Sequence, residues 1–223
     1  DDLDIQHIFK ASWDKANRTA LDHYRGYSLD EAIDMFREIK SEANVPILTD
    51  FHESWQAEKL KDVVDVLQIP AFLCRQTDML VCASKTGLPV NVKKGQFISA
   101  DDTEKVVDKV KQSGNSDVWL TERGNIFGYG NYIVDMRNLV IMKRFAPVIF
   151  DATHSVQQGA KGGSSGSQKE FIEPLAKAAV AVGVDGLFME VHDNPDKALS
   201  DGTSSLHLDD LTPLLKRIKR LYD

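Results

Sequence analysis

Short apolar runs alternate with segments of helical periodicity along almost the whole chain, and this alternation restricts the possible folds more than any other feature. Seven runs have the length and composition of buried strands. They lie at residues 8–9, 46–48, 63–69, 90–92, 118–120, 148–150 and 186–189. Because near-continuous apolar strands separated by helices are typical of parallel sheets, the sequence predicts an α/β fold.

Local signals mark the ends of several helices. Ser28 and Glu31 form a capping box at the start of a helix that Asn44 and Pro46 bring to an end. Three further amphipathic segments each stop at a glycine, and a fourth closes the chain. These segments are residues 77–85, 101–112, 167–182 and 208–221.

The repeated pitch of strand and helix favours a (β/α)8 TIM barrel over a doubly wound sheet, with residues 1–223 as a single catalytic domain. Only seven strands can be counted, and the first begins close to residue 1. A barrel that lacks one strand would leave two unpaired edges. We therefore expect strand one and its helix to be missing from this sequence.

Composition excludes several classes of protein. A net charge of −7, from 27 basic and 34 acidic residues, argues against a nucleic-acid groove or an anionic membrane surface. No apolar run approaches the roughly 18 residues that a membrane span needs. The only cysteines, Cys74 and Cys82, lack the spacing of a disulfide scaffold or a zinc site. We expect a soluble cytoplasmic protein with neither nucleic-acid nor membrane partners.

Positive charge is concentrated in residues 9–19, FKASWDKANRT, just beyond the first apolar run. Lysine and arginine alternate there with hydroxyl and amide side chains, which suit phosphate oxygens. The cations are Lys10, Lys15 and Arg18, and the added donors are Ser12, Asn17 and Thr19. The stretch predicts an anion site, although a solvated loop with three positive charges is the alternative.

The other strand ends also carry charge, and in such barrels the chemistry lies at the carboxyl ends of the strands. In chain order they carry Asp50 and His52, Gln68 and Arg75, Lys93 and Lys94, Arg123, His154, and Glu190 and His192. Cations at four strand ends of an acidic protein predict substrates rich in phosphate and carboxylate. Lys93 is expected to point into the barrel mouth, which makes it a candidate Schiff-base lysine.

One histidine and two carboxylates form a second group. His154, Glu190 and Asp201 are brought towards one mouth by the last two strands and the loop that follows them. They are a plausible set of ligands for a divalent metal, one ligand short. A hydrogen bond between the histidine and a carboxylate is the alternative that the sequence leaves open.

With these residues in place, the chain resembles the 3-deoxy-D-manno-octulosonate 8-phosphate synthase family over nearly its whole length. Eight motifs in order carry the resemblance. They are FKASWDKANRT (9–19), YRG (24–26), TDFHE (49–53), QIPAFLCRQTD (68–78), NVKKGQF (91–97), ERG with FGY (122–124 and 127–129), DATHSVQ (151–157) and EVHDNPDKALSDG (190–202).

The resemblance implies a transferase that condenses phosphoenolpyruvate with D-arabinose 5-phosphate and water, releasing phosphate, in the synthesis of a lipopolysaccharide sugar. By matching position, phosphoenolpyruvate would be bound by Lys10, Ser12, Lys15, Gln68, Lys93, Arg123 and His154. Arabinose 5-phosphate would be bound by Asn17, Arg18 and Thr19, with Arg75 and Asp50 in the same mouth. The catalytic residues would be Lys15, Asn17, Asp50, Lys93, Arg123, His154 and Asp201.

The resemblance also implies a homotetramer and a divalent metal, Zn, Fe or Mn. His154, Glu190 and Asp201 match three of the family's four metal ligands, and the fourth is expected in the missing first strand. The Ser-Val-Gln after His154 and the Leu-Ser-Asp that ends at Asp201 favour the metal-dependent branch.

Three other interpretations remain. The sister synthase that uses erythrose 4-phosphate shares the fold, but it typically carries Lys-Pro-Arg-Thr where this chain has Lys15-Ala16-Asn17-Arg18. A Schiff-base aldolase that uses Lys93 is the second. A non-catalytic phosphosugar-binding barrel is the third, and it would be indicated by loss of a charged strand end.

Overall fold

The computed structural model describes residues 3–18, 20–158 and 166–222, which fall into two compact units. The first unit comprises Leu3–Gly95 and Glu104–Trp119, and the second comprises Gln96–Thr103 and the chain from Leu120 onward. Each unit contains parallel strands separated by helices. The predicted α/β class is therefore confirmed.

The first unit contains four parallel strands that neighbour one another in chain order. Its elements are β1 (Phe9–Lys10), α1 (Leu29–Ala43), β2 (Ile47–Asp50), α2 (Ser54–Leu60), β3 (Val66–Ile69), α3 (Thr77–Lys85) and β4 (Val90–Lys93), followed by α4 (Thr103–Gln112), whose first residue belongs to the second unit. Asp50 is in register with Gln68, and Gln68 with Asn91. The carboxyl ends of β2, β3 and β4 are therefore level.

Burial explains why these segments form strands and helices. Strands β3 and β4 are buried at every residue, as expected for strands of a parallel sheet that is covered on both faces. Helix α1 buries one stripe that contains Ala32 and Phe36. The predicted capping box is present at Ser28, and Asn44 ends the helix in the left-handed conformation at φ 48°.

The second unit contains three parallel strands in the order β5, β8, β9. Its elements are β5 (Val118–Glu122), which begins in the first unit, β6 (Asn125–Gly128), β7 (Asn131–Ile133), α5 (Arg137–Met142), β8 (Val148–Asp151), α6 (Ile172–Val182), β9 (Gly186–Phe188), β10 (Val191–His192), β11 (Leu206–His207) and α7 (Leu208–Tyr222). Together, the two units contain parallel strands at all seven predicted positions.

Several elements differ from the sequence-based expectation. The antiparallel hairpin β6–β7, the short parallel pair β10–β11 and helices α2 and α5 were not predicted. Helix α4 begins at Thr103, two residues later than predicted, and helix α6 begins at Ile172 because Lys169–Phe171 form a 3-10 turn before it. None of the helices in the described ranges combines the length and apolar character that a bilayer crossing demands.

Candidate functional site

The cation-rich loop after β1 is held in place by a second segment of the first unit. Asp14 forms an antiparallel bridge with Gly26, and the Lys15 N–H donates to the Arg25 carbonyl at 2.6 Å. The Arg25 guanidinium also binds the Asp14 carboxylate through two hydrogen bonds of 2.8 Å. These contacts fix the backbone of the loop, which is therefore not simply a solvated loop.

Gly26 is the residue that this anchoring requires. Its φ of +118° disfavours any side chain, and a Cβ there would overlap the carbonyl oxygen of Trp13. We expect Gly26→Ala to lower the free energy of unfolding by about 3 kcal/mol or more. Urea denaturation measures this effect.

Gly87 provides the matched control for this prediction. It also has a positive φ, +78°, but a Cβ there would meet no atom within 4 Å. Gly87→Ala should therefore cost only the backbone strain of about 1–2 kcal/mol. Equal losses in the two variants would show that the close approach of Gly26 to Trp13 is unimportant.

A compact ionic cluster lies at the ends of β1 and β2. The Lys10 ammonium donates to Ser12 Oγ at 2.7 Å and lies 4.0 Å from Asp50 Oδ1. His52 Nε2 lies 3.2 Å from Asp50 Oδ2. Burial by itself would raise the pKa of Asp50, but the Lys10 charge and the His52 hydrogen bond outweigh it and keep that pKa well below its usual range. Asp50 is thus ionised and orients Lys10.

Trp13 packs beside this cluster. Its indole N–H donates to the Asp50 carbonyl at 3.0 Å, and its ring centroid is 6.0 Å from that of His52. Trp13 is buried, with 7% of its surface exposed, so it shields one side of the cluster from water. His52 Nδ1 is buried and has no hydrogen-bonding partner among the described residues.

The remaining predicted residues of the first unit differ in exposure. Gln68 and Lys93 are buried at the ends of β3 and β4, and Gln68 Nε2 donates to Asn91 Oδ1 at 2.7 Å. Arg75 is exposed, beyond the 3-10 turn Ala71–Leu73 that follows β3. In the loop after β1, Lys15 and Arg18 are half-buried, Asn17 is exposed, and Thr19 lies outside the described residues.

Arg123 is the most unusual charge in the second unit. It follows β5 and is buried, with only 6% of its surface exposed. Its Nη2 donates to Gln157 Oε1 at 3.0 Å, while Nη1 is buried and has no hydrogen-bonding partner among the described residues. Its guanidinium carbon lies 4.9 Å from the centre of the Tyr132 ring. An unpaired cation is costly to bury, so this position is suited to an anionic ligand.

His154 is fixed by Asp151, a fully buried carboxylate at the end of β8. Asp151 Oδ2 lies 2.8 Å from His154 Nδ1, and Oδ1 accepts the backbone N–H groups of Thr153 and His154 at 3.1 and 2.8 Å. A carboxylate on one ring nitrogen is the usual support of a histidine that uses the other nitrogen as a base or metal ligand. This arrangement leaves Nε2 as the ring nitrogen of His154 that could act as a base or metal ligand.

Glu190 and Asp201 are placed by the backbone around β10 and β11. The Glu190 N–H donates to Thr153 Oγ1 at 2.8 Å, which ties Glu190 to the segment that carries His154. Asp201 adopts a φ of 54°, and its carbonyl accepts the N–H groups of Ser204 and Ser205. Within the described ranges, no three His, Cys, Asp or Glu side chains are grouped closely enough to form a metal site.

Four residues of these clusters were not assigned roles from the sequence. Asp151, Tyr132 and Gln157 support predicted residues of the second unit, and His52 supports Asp50 in the first. The available signals were Asp151, three residues before a histidine at a strand end, and Gln157, three residues after it. No spacing rule could have paired Tyr132 with Arg123, because the hairpin that brings them together was not predicted.

Known proteins are similar to this chain over nearly its whole length. Residues 1–222 match the model of the DAHP synthetase I family. A protein of Geobacter metallireducens named 2-dehydro-3-deoxyphosphooctonate aldolase is 55% identical over 221 residues, 98% of this chain and 81% of the relative. Proteins of the same name from Koribacter versatilis and a Cyanothece species are 56% and 54% identical, covering 99% and 98% of this chain and 81% of each relative. The chain therefore belongs to the DAHP synthetase I family, within which it groups with the 2-dehydro-3-deoxyphosphooctonate aldolases.

Proposed function

We propose that this protein condenses phosphoenolpyruvate with D-arabinose 5-phosphate and water to give 3-deoxy-D-manno-octulosonate 8-phosphate and inorganic phosphate. The observation that carries the proposal is Arg123, a buried guanidinium whose Nη1 has no partner among the described residues. A doubly charged phosphate or a carboxylate would satisfy it. The names of the relatives agree with substrates of this kind.

The proposed binding residues divide between the two substrates. Phosphoenolpyruvate would be bound by Lys10, Ser12, Lys15, Gln68, Lys93, Arg123 and His154. Arabinose 5-phosphate would be bound by Asn17, Arg18 and Thr19, with Arg75 and Asp50 assisting. The burial of Gln68, Lys93 and Arg123 supports this division, because phosphoenolpyruvate needs a dry site for the reaction.

The proposed reaction requires positively charged side chains around the reacting carbons. Carbon 3 of phosphoenolpyruvate bonds to the aldehyde carbon of the sugar, water adds at carbon 2, and the carbon 2 oxygen–phosphate unit leaves as inorganic phosphate. Negative charge surrounds the reacting carbons throughout, so preorganised cations lower the barrier. Lys10, oriented by the ionised Asp50, and Arg123 are suited to this role.

We propose that His154, Glu190 and Asp201 bind a divalent metal, Zn, Fe or Mn. The donor chemistry fits, because His154 presents Nε2 with Nδ1 held by Asp151, and Glu190 is tied to the same segment. When bound, such an ion polarises the sugar aldehyde. Among the described residues these three side chains do not already form a metal-binding group, so the ion would have to bring them together.

The proposal also covers the complete fold, the oligomeric state and the cellular location. We propose a (β/α)8 barrel, a homotetramer and a cytoplasmic location. The parallel strands and intervening helices of each unit support the barrel. Two free cysteines support a reducing compartment.

Phosphate release tests the activity directly. We expect phosphate release from phosphoenolpyruvate with arabinose 5-phosphate, abolished by a chelator and restored by Mn²⁺ or Zn²⁺. Turnover with erythrose 4-phosphate alone would assign the sister activity, and turnover indifferent to chelator would leave His154, Glu190 and Asp201 as hydrogen-bonding residues. Substrate-dependent trapping by borohydride would instead indicate a Schiff base on Lys93.

A further inference from the structure

Arg123 is held by two side chains that orient its guanidinium without neutralising it. Gln157 offers an amide oxygen at 3.0 Å from Nη2, and Tyr132 offers the face of its ring at 4.9 Å. Among the described residues, no carboxylate forms an ion pair with Arg123. The full charge of a buried cation is thus available to a ligand, at a cost to stability that a carboxylate partner would remove.

The backbone around Arg123 is built to bring these two side chains together. The Tyr132 N–H donates to the Gln157 carbonyl at 3.3 Å, so the hairpin β6–β7 is attached to the segment after His154. Asn131 and Gln158 form a bridge beside this bond, and Gln158 Nε2 donates to Asn131 Oδ1 at 2.8 Å. The positions of Tyr132 and Gln157 therefore depend on each other.

Gly124 permits this approach. It has a φ of +88°, and a Cβ there would lie 3.3 Å from the Cβ of Tyr132. The preceding Glu122 is turned to other partners, since Oε1 accepts the Gly124 N–H at 2.5 Å and Oε2 accepts from Asn138. The carboxylate nearest in sequence thus contributes to the turn, while the partners of Arg123 among the described residues are an amide and a ring.

We propose that Tyr132 and Gln157 are positioning residues. They hold the guanidinium of Arg123 in a fixed orientation without neutralising its charge, so that it can bind an oxyanion of phosphoenolpyruvate. The inference rests on the proposed function and extends it to the hairpin β6–β7, whose other large apolar side chains are exposed. The ring fixes the plane of the guanidinium, and the amide fixes Nη2, which leaves Nη1 for the ligand.

Gln157→Glu is the decisive variant, because it replaces the amide with a carboxylate of nearly the same size. The new charge should pair with Arg123, so the dissociation constant for phosphoenolpyruvate should rise at least tenfold while the thermal midpoint stays level or rises. If Gln157 had only a structural role, the substitution would not weaken phosphoenolpyruvate binding while keeping or raising the thermal midpoint. Unchanged affinity in Gln157→Glu would overturn the inference.

Tyr132 supplies an independent pair of variants if Gln157→Glu does not fold. Tyr132→Leu removes the ring and should weaken phosphoenolpyruvate binding about fivefold, whereas Tyr132→Phe keeps the ring face and should restore affinity to within about twofold. Tyr129→Leu is the matched control, because Tyr129 is fully exposed in the turn of the same hairpin. Equal affinity in the Leu and Phe variants at position 132 would also overturn the inference.

Calorimetric titration separates this inference from the proposed function. Phosphoenolpyruvate is titrated into each variant without the sugar phosphate, and inorganic phosphate serves as a second probe. Wild-type protein that binds phosphoenolpyruvate but does not turn over arabinose 5-phosphate would overturn the function alone. Wild-type protein that binds neither probe would overturn both.

Discussion

Replacing Arg123 with alanine is expected to lower kcat/KM for the condensation by two to three orders of magnitude. The guanidinium is buried and available to an anion, so its removal deletes a charge-assisted contact worth about 3–4 kcal/mol. The same change should leave the protein as stable as before or more so, because the free protein no longer buries an unpaired charge. Steady-state kinetics and thermal denaturation measure the two effects.

Arg137→Ala is the control for this prediction. Arg137 is an arginine of the same unit whose side chain is 86% exposed and paired with Asp135. It should keep kcat/KM within about twofold of wild type. A condensation rate near wild type in Arg123→Ala would remove Arg123 from the site, and a large loss of stability would show that its role is in folding.

Much of the fold was accessible from the sequence because it depends on local patterns. The strands β3, β4 and β8 are mostly apolar and largely buried, and their predicted positions are confirmed. The capping box at Ser28 and the left-handed Asn44 placed both ends of helix α1. Each of these signals is contained within a few residues.

The hairpin β6–β7 could not be predicted in the same way. Its apolar residues Ile126, Phe127 and Ile133 are exposed, so no alternation of buried and exposed positions marks its strands. Its conformation depends on pairing, with Asn125 opposite Ile133 and Gly128 opposite Asn131. Such pairing forms only when the turn brings the two strands together, so the sequence of either strand alone does not predict it.

The candidate site likewise combines residues that local patterns predict with contacts that they do not. The strand-end rule selected Lys10, Asp50 and Gln68, which share the carboxyl end of the parallel strands in the first unit. The contacts that determine how such residues act are tertiary, as between His52 and Asp50. Spacing along a strand identifies which residues reach the site, but the register of neighbouring segments decides which atoms they present.

The second large effect is expected from Asp151→Asn, which should lower kcat/KM by about two orders of magnitude and metal affinity by 10- to 100-fold. The backbone N–H groups of Thr153 and His154 both donate to Oδ1 of residue 151. They would hold the amide oxygen of asparagine in that place and turn its NH₂ group towards His154 Nδ1. Nδ1 would then have to accept a hydrogen bond instead of donating one, so Nε2 would carry the ring hydrogen and lose its free lone pair.

Nitrogen chemical shifts of the His154 ring and kinetic constants test this tautomer change together. Asp209→Asn is the control, because Asp209 Oδ2 lies 3.5 Å from His207 Nδ1 in a histidine–carboxylate pair that is exposed to solvent. It should leave kcat/KM unchanged within about twofold, since an exposed pair contributes little. A tautomer shift in Asp151→Asn without loss of activity would show that Nε2 of His154 neither binds a metal nor accepts a proton, and would remove His154 from the proposed chemistry.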